Sequence, residues 1–246
     1  EADLEHQWVT TTRSERRRNL PPKTRTTKEI METLKYGGFN NHAVPLVQPV
    51  FFEEKELSIH PYVFGLWLGD GTAREPSITM HKEDWEDIEP RFIELGIKYH
   101  LVPRQEKENT VLIWIEEMSP KLKQLGVKNN KHIPVQYLRS SIDQRWELLR
   151  GMMDSDGTIE KGTSTVVLTF SDEGLAKNAT EVIRSLGIKV NAKAHKSMLN
   201  GEEKKQHWDM SFVSKELPFK LSRKANAWRP ATIDRSKYRY IKEIVP

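Results

Sequence analysis

VFGLWLGDGT (residues 63–72) and LLRGMMDSDGTI (148–159) are apolar runs that close on the same tripeptide, Asp70-Gly71-Thr72 and Asp156-Gly157-Thr158. A single Asp-Gly marks a turn; two of them, each behind a helical apolar pattern, ask for a common cause. Small residues recur four apart in both runs, Gly65 with Gly69 and Gly151 with Ser155, a spacing that puts them on one helical face. Helices with small residues on matching faces can pack backbone to backbone. Packed so, their ends meet and Asp70 and Asp156 arrive side by side. A helix C-terminus and a second carboxylate both disfavour negative charge, and a divalent cation with oxygen ligands offsets both. The expected site is therefore a carboxylate pair holding metal, with Gly69 and Ser155, which precede the acids, in the candidate ligand set. For one copy alone, a cap with Gly in the left-handed conformation would suffice; recurrence favours the metal. Asp154 has Leu68 as its first-half counterpart and reads as an outer helper or a cap.

The doubling extends along the chain. FIELGIKYHLVPR (92–104) and VIRSLGIKVNAKAHK (182–196) share Leu-Gly-Ile-Lys, and LGVKNNKHIP (125–134) lines up with LPFKLSRKANAW (217–228). Four landmarks in one order mark an internal repeat. Pro61 suits a first helical position, and Ser141 with Gln144 forms a capping-box pair. Gly96 and Gly187 are placed to stop the later helices. The order αββαββ, twice over, predicts an α/β (α+β) pseudo-twofold molecule whose two antiparallel four-stranded sheets each pack one face on helices and leave one free. Expected segments are 1–55 (flanking region), 56–140 (first half), 141–237 (second half) and 238–246 (a final strand).

The 246 residues are 30% charged and 37% hydrophobic without cysteine, which excludes disulfide frameworks, thiolate zinc sites and cysteine nucleophiles. No apolar run approaches the ~18 residues of a membrane span, and EADLEHQWVT carries no signal-peptide core; an intracellular protein of cytoplasm or nucleoid is expected. Net charge is only +4, but residues 13–28 hold seven Lys/Arg against Glu15, and residues 220–242 hold eight against Asp234. Basic runs interleaved with Thr, Ser, Tyr and Trp point to phosphate-backbone contact, with Arg16, Arg17, Arg18, Lys23, Arg25, Arg223 and Arg229 as candidates. His132 and His207 read as solvent-facing or strand histidines, and Trp67 and Trp146 as core.

The two runs resemble the paired signature helices of the LAGLIDADG homing endonucleases; the first departs from the pattern at Leu68 and at Gly69-Asp70. The resemblance spans roughly residues 56–237. It implies that Asp70 and Asp156 hold Mg²⁺ (with Mn²⁺ or Ca²⁺ substituting in binding), and that the two sheets form a saddle on double-stranded DNA whose two strands are cut. KHIP (131–134) is similar to the family's Lys-x-Ile-Pro segment, which makes Lys131 an active-site residue; the repeat gives Lys224 as its partner. Base readout would come from the sheet faces, with Thr79, Arg104, Gln105 and Lys107 in one half and Thr169, Lys193, Lys196 and Gln206 in the other. The halves differ in sequence, so an asymmetric target and a monomer with an internal pseudo-dimer are expected. DLEHQWVTTTRSERR (3–17), with His6, and KYRYIKEIVP (237–246) resemble parts of an intein splicing domain, while 18–55 reads equally as a DNA-contacting region or a linker. A catalytically silent nucleic-acid binder is the alternative function; a glycoside hydrolase would need an aromatic cleft between its acids.

Overall fold

The computed structural model describes residues 2–103, 109–199, 202–231 and 237–245. The chain divides into two compact units, one formed by Glu1–Gln48 with Thr232–Pro246 and the other by Pro49–Ala231. The chain passes between the units at 48/49 and 231/232.

The first unit opens with β1 (Gln7–Thr10), α1 (Arg13–Arg17), β2 (Lys23–Thr26) and α2 (Thr27–Glu32), followed by the short strands β3 (Lys35–Tyr36), β4 (Phe39–Asn40) and β5 (Ala43–Pro45). β1 pairs antiparallel with β2. Glu15 organises this corner: buried, it closes the α1 capping box on Thr12 and accepts from Arg25 Nη2 at 2.6 Å. Burial alone would raise its pKa, but the Thr12 amide and the Arg25 guanidinium outweigh that and hold it down at about 2. The ionised form is therefore preferred on folding, so its contribution is complete above the ordinary carboxylate range and lost as pH falls towards 2. Glu15→Gln is expected to cost about 2 kcal/mol at pH 7 and much less at pH 3, read as faster amide exchange in β1 and β2.

The second unit carries the repeat. Its first half runs α3 (Pro61–Asp70), β6 (Ser77–His81), α4 (Lys82–Glu94), β7 (Tyr99–Val102), β8 (Thr110–Ile115), α5 (Met118–Gln124) and α6 (Val135–Leu138). The second runs α7 (Ile142–Asp156), β9 (Gly157–Ile159), β10 (Thr165–Phe170), α8 (Glu173–Ser185), β11 (Val190–Leu199), β12 (Glu202–Val213) and α9 (Ser222–Ala227). The chain then returns to the first unit, where β13 (Tyr238–Tyr240) pairs with β5. Pro61 begins α3 and Ser141–Gln144 caps α7, as the sequence predicts. Gly96 and Gly187 end α4 and α8 at φ +63° and +74°, where a Cβ would be strained.

The sheets are antiparallel but unequal. The second has four strands in the order β11-β12-β10-β9, whereas the first has three, β6-β8-β7. In place of a fourth strand the first half makes a single bridge, Gly71 to Ile78. Both sheets lay apolar residues against helices, Ile78 and Ile113 in one and Val166, Leu168, Met210 and Phe212 in the other, all fully or almost fully buried. α3 is buried along Pro61–Leu68, as befits a helix with core on every side. Arg145, fully buried on α7, bonds the Ser140 and Ser185 carbonyls at 2.9 Å and also reaches the Val50 carbonyl, tying the start of the unit to α7 and α8.

Candidate metal centre at the paired helix ends

α3 and α7 meet through their glycines. The Cα atoms of Gly65 and Gly151 approach so closely that a Cβ on Gly65 would overlap the Leu148 carbonyl oxygen and lie 2.9 Å from Met152 N. One on Gly151 would overlap the Tyr62 carbonyl and lie 2.8 Å from Leu66 N. One turn further on, a Cβ on Gly69 would sit 2.8 Å from an Asp156 carboxylate oxygen. The crossing thus carries the C-terminus of α3 to the Asp156 side chain, and Asp70 is the last residue of that helix. Gly71 and Gly157 leave their helices in extended conformation, φ −77° and −84°. The left-handed cap that would have explained each Asp-Gly by itself is absent at both ends.

Burial pushes Asp156 up to about 6, helped by the charge on Asp70, while Lys131 and Lys224 pull it down. Burial likewise raises Asp70 against the same two lysines. Both acids remain accessible to solvent, Asp70 exposed and Asp156 half-buried. Two partly desolvated carboxylates with free oxygens fit a hard divalent cation.

Each helix end also receives an ammonium. Lys131 Nζ donates to the Leu68, Gly69 and Gly71 carbonyls at 3.0, 3.0 and 2.6 Å. Lys224 Nζ donates to Met153, Asp154, Ser155 and Gly157 at 2.9, 2.6, 3.3 and 2.7 Å. These are orphan carbonyls of helix C-termini, and a cation there suits the dipole. Burial lowers both amines, Lys131 to about 8, opposed by the neighbouring acids. An ammonium has three N–H bonds, and in both lysines these backbone carbonyls engage them. What each lysine adds is position and charge. Lys224→Met should destabilise the unit by about 2–4 kcal/mol, since buried carbonyls lose their donor, and the more exposed Lys131→Met by about half as much; urea unfolding would check both.

Lys224 reaches its place through α9, which is fastened to α4. Arg223 forms a two-pronged pair with Asp84 at 2.5 and 2.7 Å, and Asp87 accepts from Ser222 N and Oγ at 2.5 and 2.7 Å. Asp154 supports the same segment: almost fully buried, it accepts from the Tyr62 hydroxyl at 2.8 Å and from the Lys220 and Leu221 amides. Burial raises it to about 6 against those donors. Its role is to position α9, the helper role its unpaired place in the motif suggests. Gly69 and Ser155 turn only backbone carbonyls towards the lysines, and the Ser155 hydroxyl donates back to Gly151 and Met152 at 3.2 and 3.0 Å.

The other candidates scatter. Arg223 is engaged by Asp84, as above, and Arg229 donates to the Asn226 and Trp228 carbonyls. Within the first unit, Arg16 and Arg25 turn inward onto the Thr11, Asn41 and Thr10 carbonyls, while Arg17, Arg18 and Lys23 are exposed. Thr79 lies on the free face of its sheet, and Thr169 and Lys193 share the free face of the other. Gln206 and Lys196 face each other in register and are both exposed. Arg104, Gln105 and Lys107 lie outside the described residues.

Residues 132–233 match the homing endonuclease family model. The chain is also 31% identical over 241 residues to the replicative DNA helicase DnaB of Mycobacterium intracellulare, aligning over 91% of its own length but only 38% of that relative's. Among solved structures, that of the homing endonuclease I-DmoI in complex with DNA and Ca has a TM-score of 0.45 and 12% identity, covering 68% of this chain and 95% of the other. The N-terminal LAGLIDADG domain of DUF199/WhiA has a TM-score of 0.39 and 11% identity, covering 65% and 80%. The homing endonuclease match begins at His132, one residue past Lys131, and takes in α7 with Asp156 and α9 with Lys224.

Proposed function

We propose that the chain is a site-specific DNA endonuclease of the LAGLIDADG type, which hydrolyses both strands of a double-stranded target with a divalent cation, Mg²⁺ in the cell. The observation that carries this reading is the meeting of α3 and α7, which directs two solvent-accessible carboxylates to one point. Asp70 and Asp156 would hold the cation, which when bound supplies Lewis-acid polarisation of a phosphate and a more acidic water. Lys131 and Lys224 fix the helix ends that carry the acids and keep positive charge beside the phosphate path. The sheet faces, lined by Thr79 in one half and Thr169 and Lys193 in the other, would meet the major groove, and their unlike residues suit an asymmetric site on one monomer.

The alignment with a helicase far longer than this chain supports a second element of the proposal: the chain is an intein-borne insertion, and its target is the helicase gene without the insertion. The first unit would then be a remnant of the splicing domain. The test is a supercoiled plasmid bearing the uninterrupted helicase gene, incubated with the protein and Mg²⁺ or with EDTA. One double-strand break in the Mg²⁺ lane alone is expected. Intact plasmid with both Mg²⁺ and Mn²⁺, under conditions where the protein shifts that DNA in a gel, would favour the silent binder instead.

A further inference from the structure

Away from the paired helix ends, the free face of the second sheet carries three metal-ligating side chains in one patch. β12 presents His207 and Asp209, two residues apart and hence on the same side, and β11 presents His195 directly opposite His207. The imidazole rings stand 3.8 Å apart between centroids, edge to face, and His195 Nδ1 lies 3.6 Å from an Asp209 oxygen. One ligand atom from each residue falls within 4.8 Å of the others. The other Asp209 oxygen accepts from the Thr169 hydroxyl at 2.6 Å, which fixes the carboxylate plane.

We propose that His195, His207 and Asp209 form a transition-metal site, of which Zn²⁺ is the natural occupant, with a remaining coordination position open to solvent. Three ligands from two neighbouring strands can only cap one side of an ion, leaving the other side for water or a further ligand. Two imidazoles select zinc-like ions over Mg²⁺ or Ca²⁺, which take oxygen ligands, so this centre and the Asp70–Asp156 pair would sort different metals. A simple His195–Asp209 ion pair would account for one ring and not for the second. Thr169 plays the outer role that commonly orients a metal-binding carboxylate. Lys193, opposite Asp209 on the same face, is a cation that counts against the ion.

The test is zinc binding to the untagged, EDTA-stripped chain by calorimetry, with Co²⁺ absorption as a second readout and no DNA present, so that the result is independent of the nuclease reading. One equivalent of Zn²⁺ is expected at micromolar affinity or tighter. His195→Asn and His207→Asn, exposed or half-exposed positions, should each weaken it at least about thirtyfold, and Thr169→Val about tenfold. Asp156→Asn should leave it unchanged, and the Co²⁺ spectrum should show nitrogen ligation that the histidine variants lose. Binding weaker than about 100 μM, undiminished binding in both histidine variants, or a loss that follows Asp156 instead would overturn the assignment.

Discussion

Asp156→Asn is expected to reduce DNA cleavage by about 10³ or more and, in the same protein, to raise its stability in the absence of metal. The first effect follows from charge. An amide has nearly the shape of the carboxylate but cannot neutralise a dication, and the stabilisation a bound metal gives to a reacting phosphate is several kcal/mol. DNA affinity should change little, since the basic and sheet-face groups are untouched. The second effect follows from the raised pKa. Asp156 sits at about 6 in the folded chain, because burial and Asp70 oppose its charge, against about 3.9 in an unfolded one. Folding is therefore penalised whenever Asp156 is ionised. The penalty is full above pH 6, fades as pH falls through that value and is gone below the unfolded pKa. Allowing for its partial solvent access, the substitution should stabilise the chain by about 1–2 kcal/mol at pH 7.5, with the gain vanishing near pH 4. Melting curves at the two pH values would test this. A variant that cleaves normally removes Asp156 from the site, and one that loses stability at pH 7.5 removes the like-charge strain. An active site held at some expense of stability is a common arrangement.

How much of this is legible in the chain depends on whether a feature is local. Gly65, Gly69, Gly151 and Ser155 state a packing face by spacing alone, and the close approach of α3 and α7 matches it. Gly96 and Gly187 end helices through a backbone preference that any sequence shows. Lys131 is reachable through its tetrapeptide and Lys224 through the repeat, but not what their amines do. That depends on α9 being fastened to α4 by Asp84 and Asp87, more than 130 positions away in the chain. The missing fourth strand of the first sheet has the same origin: only a bridge at Gly71 forms where Gly157–Ile159 makes a strand in the other half. Register is the other blind spot. Alternation within one strand cannot say which residue of the neighbour stands opposite, so the sequence alone makes His207 an ordinary strand histidine. Cross-strand pairing puts it beside His195 and Asp209.

Gly151→Val is expected to be among the most damaging single changes in the chain, costing more than about 4 kcal/mol. By intrinsic propensity it should help: glycine inside a helix is worth up to about 1 kcal/mol less than alanine, and valine also exceeds it. Here the neighbour decides. The first side-chain carbon would overlap the Tyr62 carbonyl and stand 2.9 Å from Gly65 Cα, and both are backbone, which cannot rotate aside. The helices must separate, and the packing of Leu66, Leu148 and Met152, all buried to 1% exposure or less, is loosened along the crossing. Even Gly151→Ala should lose about 2 kcal/mol net, the clash exceeding the propensity gain. Gly96→Ala is the control, because its added carbon meets open space and only its φ of +63° is strained, for a cost of about 1 kcal/mol. Chemical denaturation should rank the three variants, in decreasing damage, as Gly151→Val, Gly151→Ala and Gly96→Ala. The alanine substitution at the seam carries a sharper consequence. That protein should still fold, yet the crossing that sets the separation of Asp70 and Asp156 will have widened, so its cleavage should fall at temperatures where it remains native. A folded Gly151→Ala protein with unaltered cleavage and stability would mean that the glycine seam does not hold the two acids together.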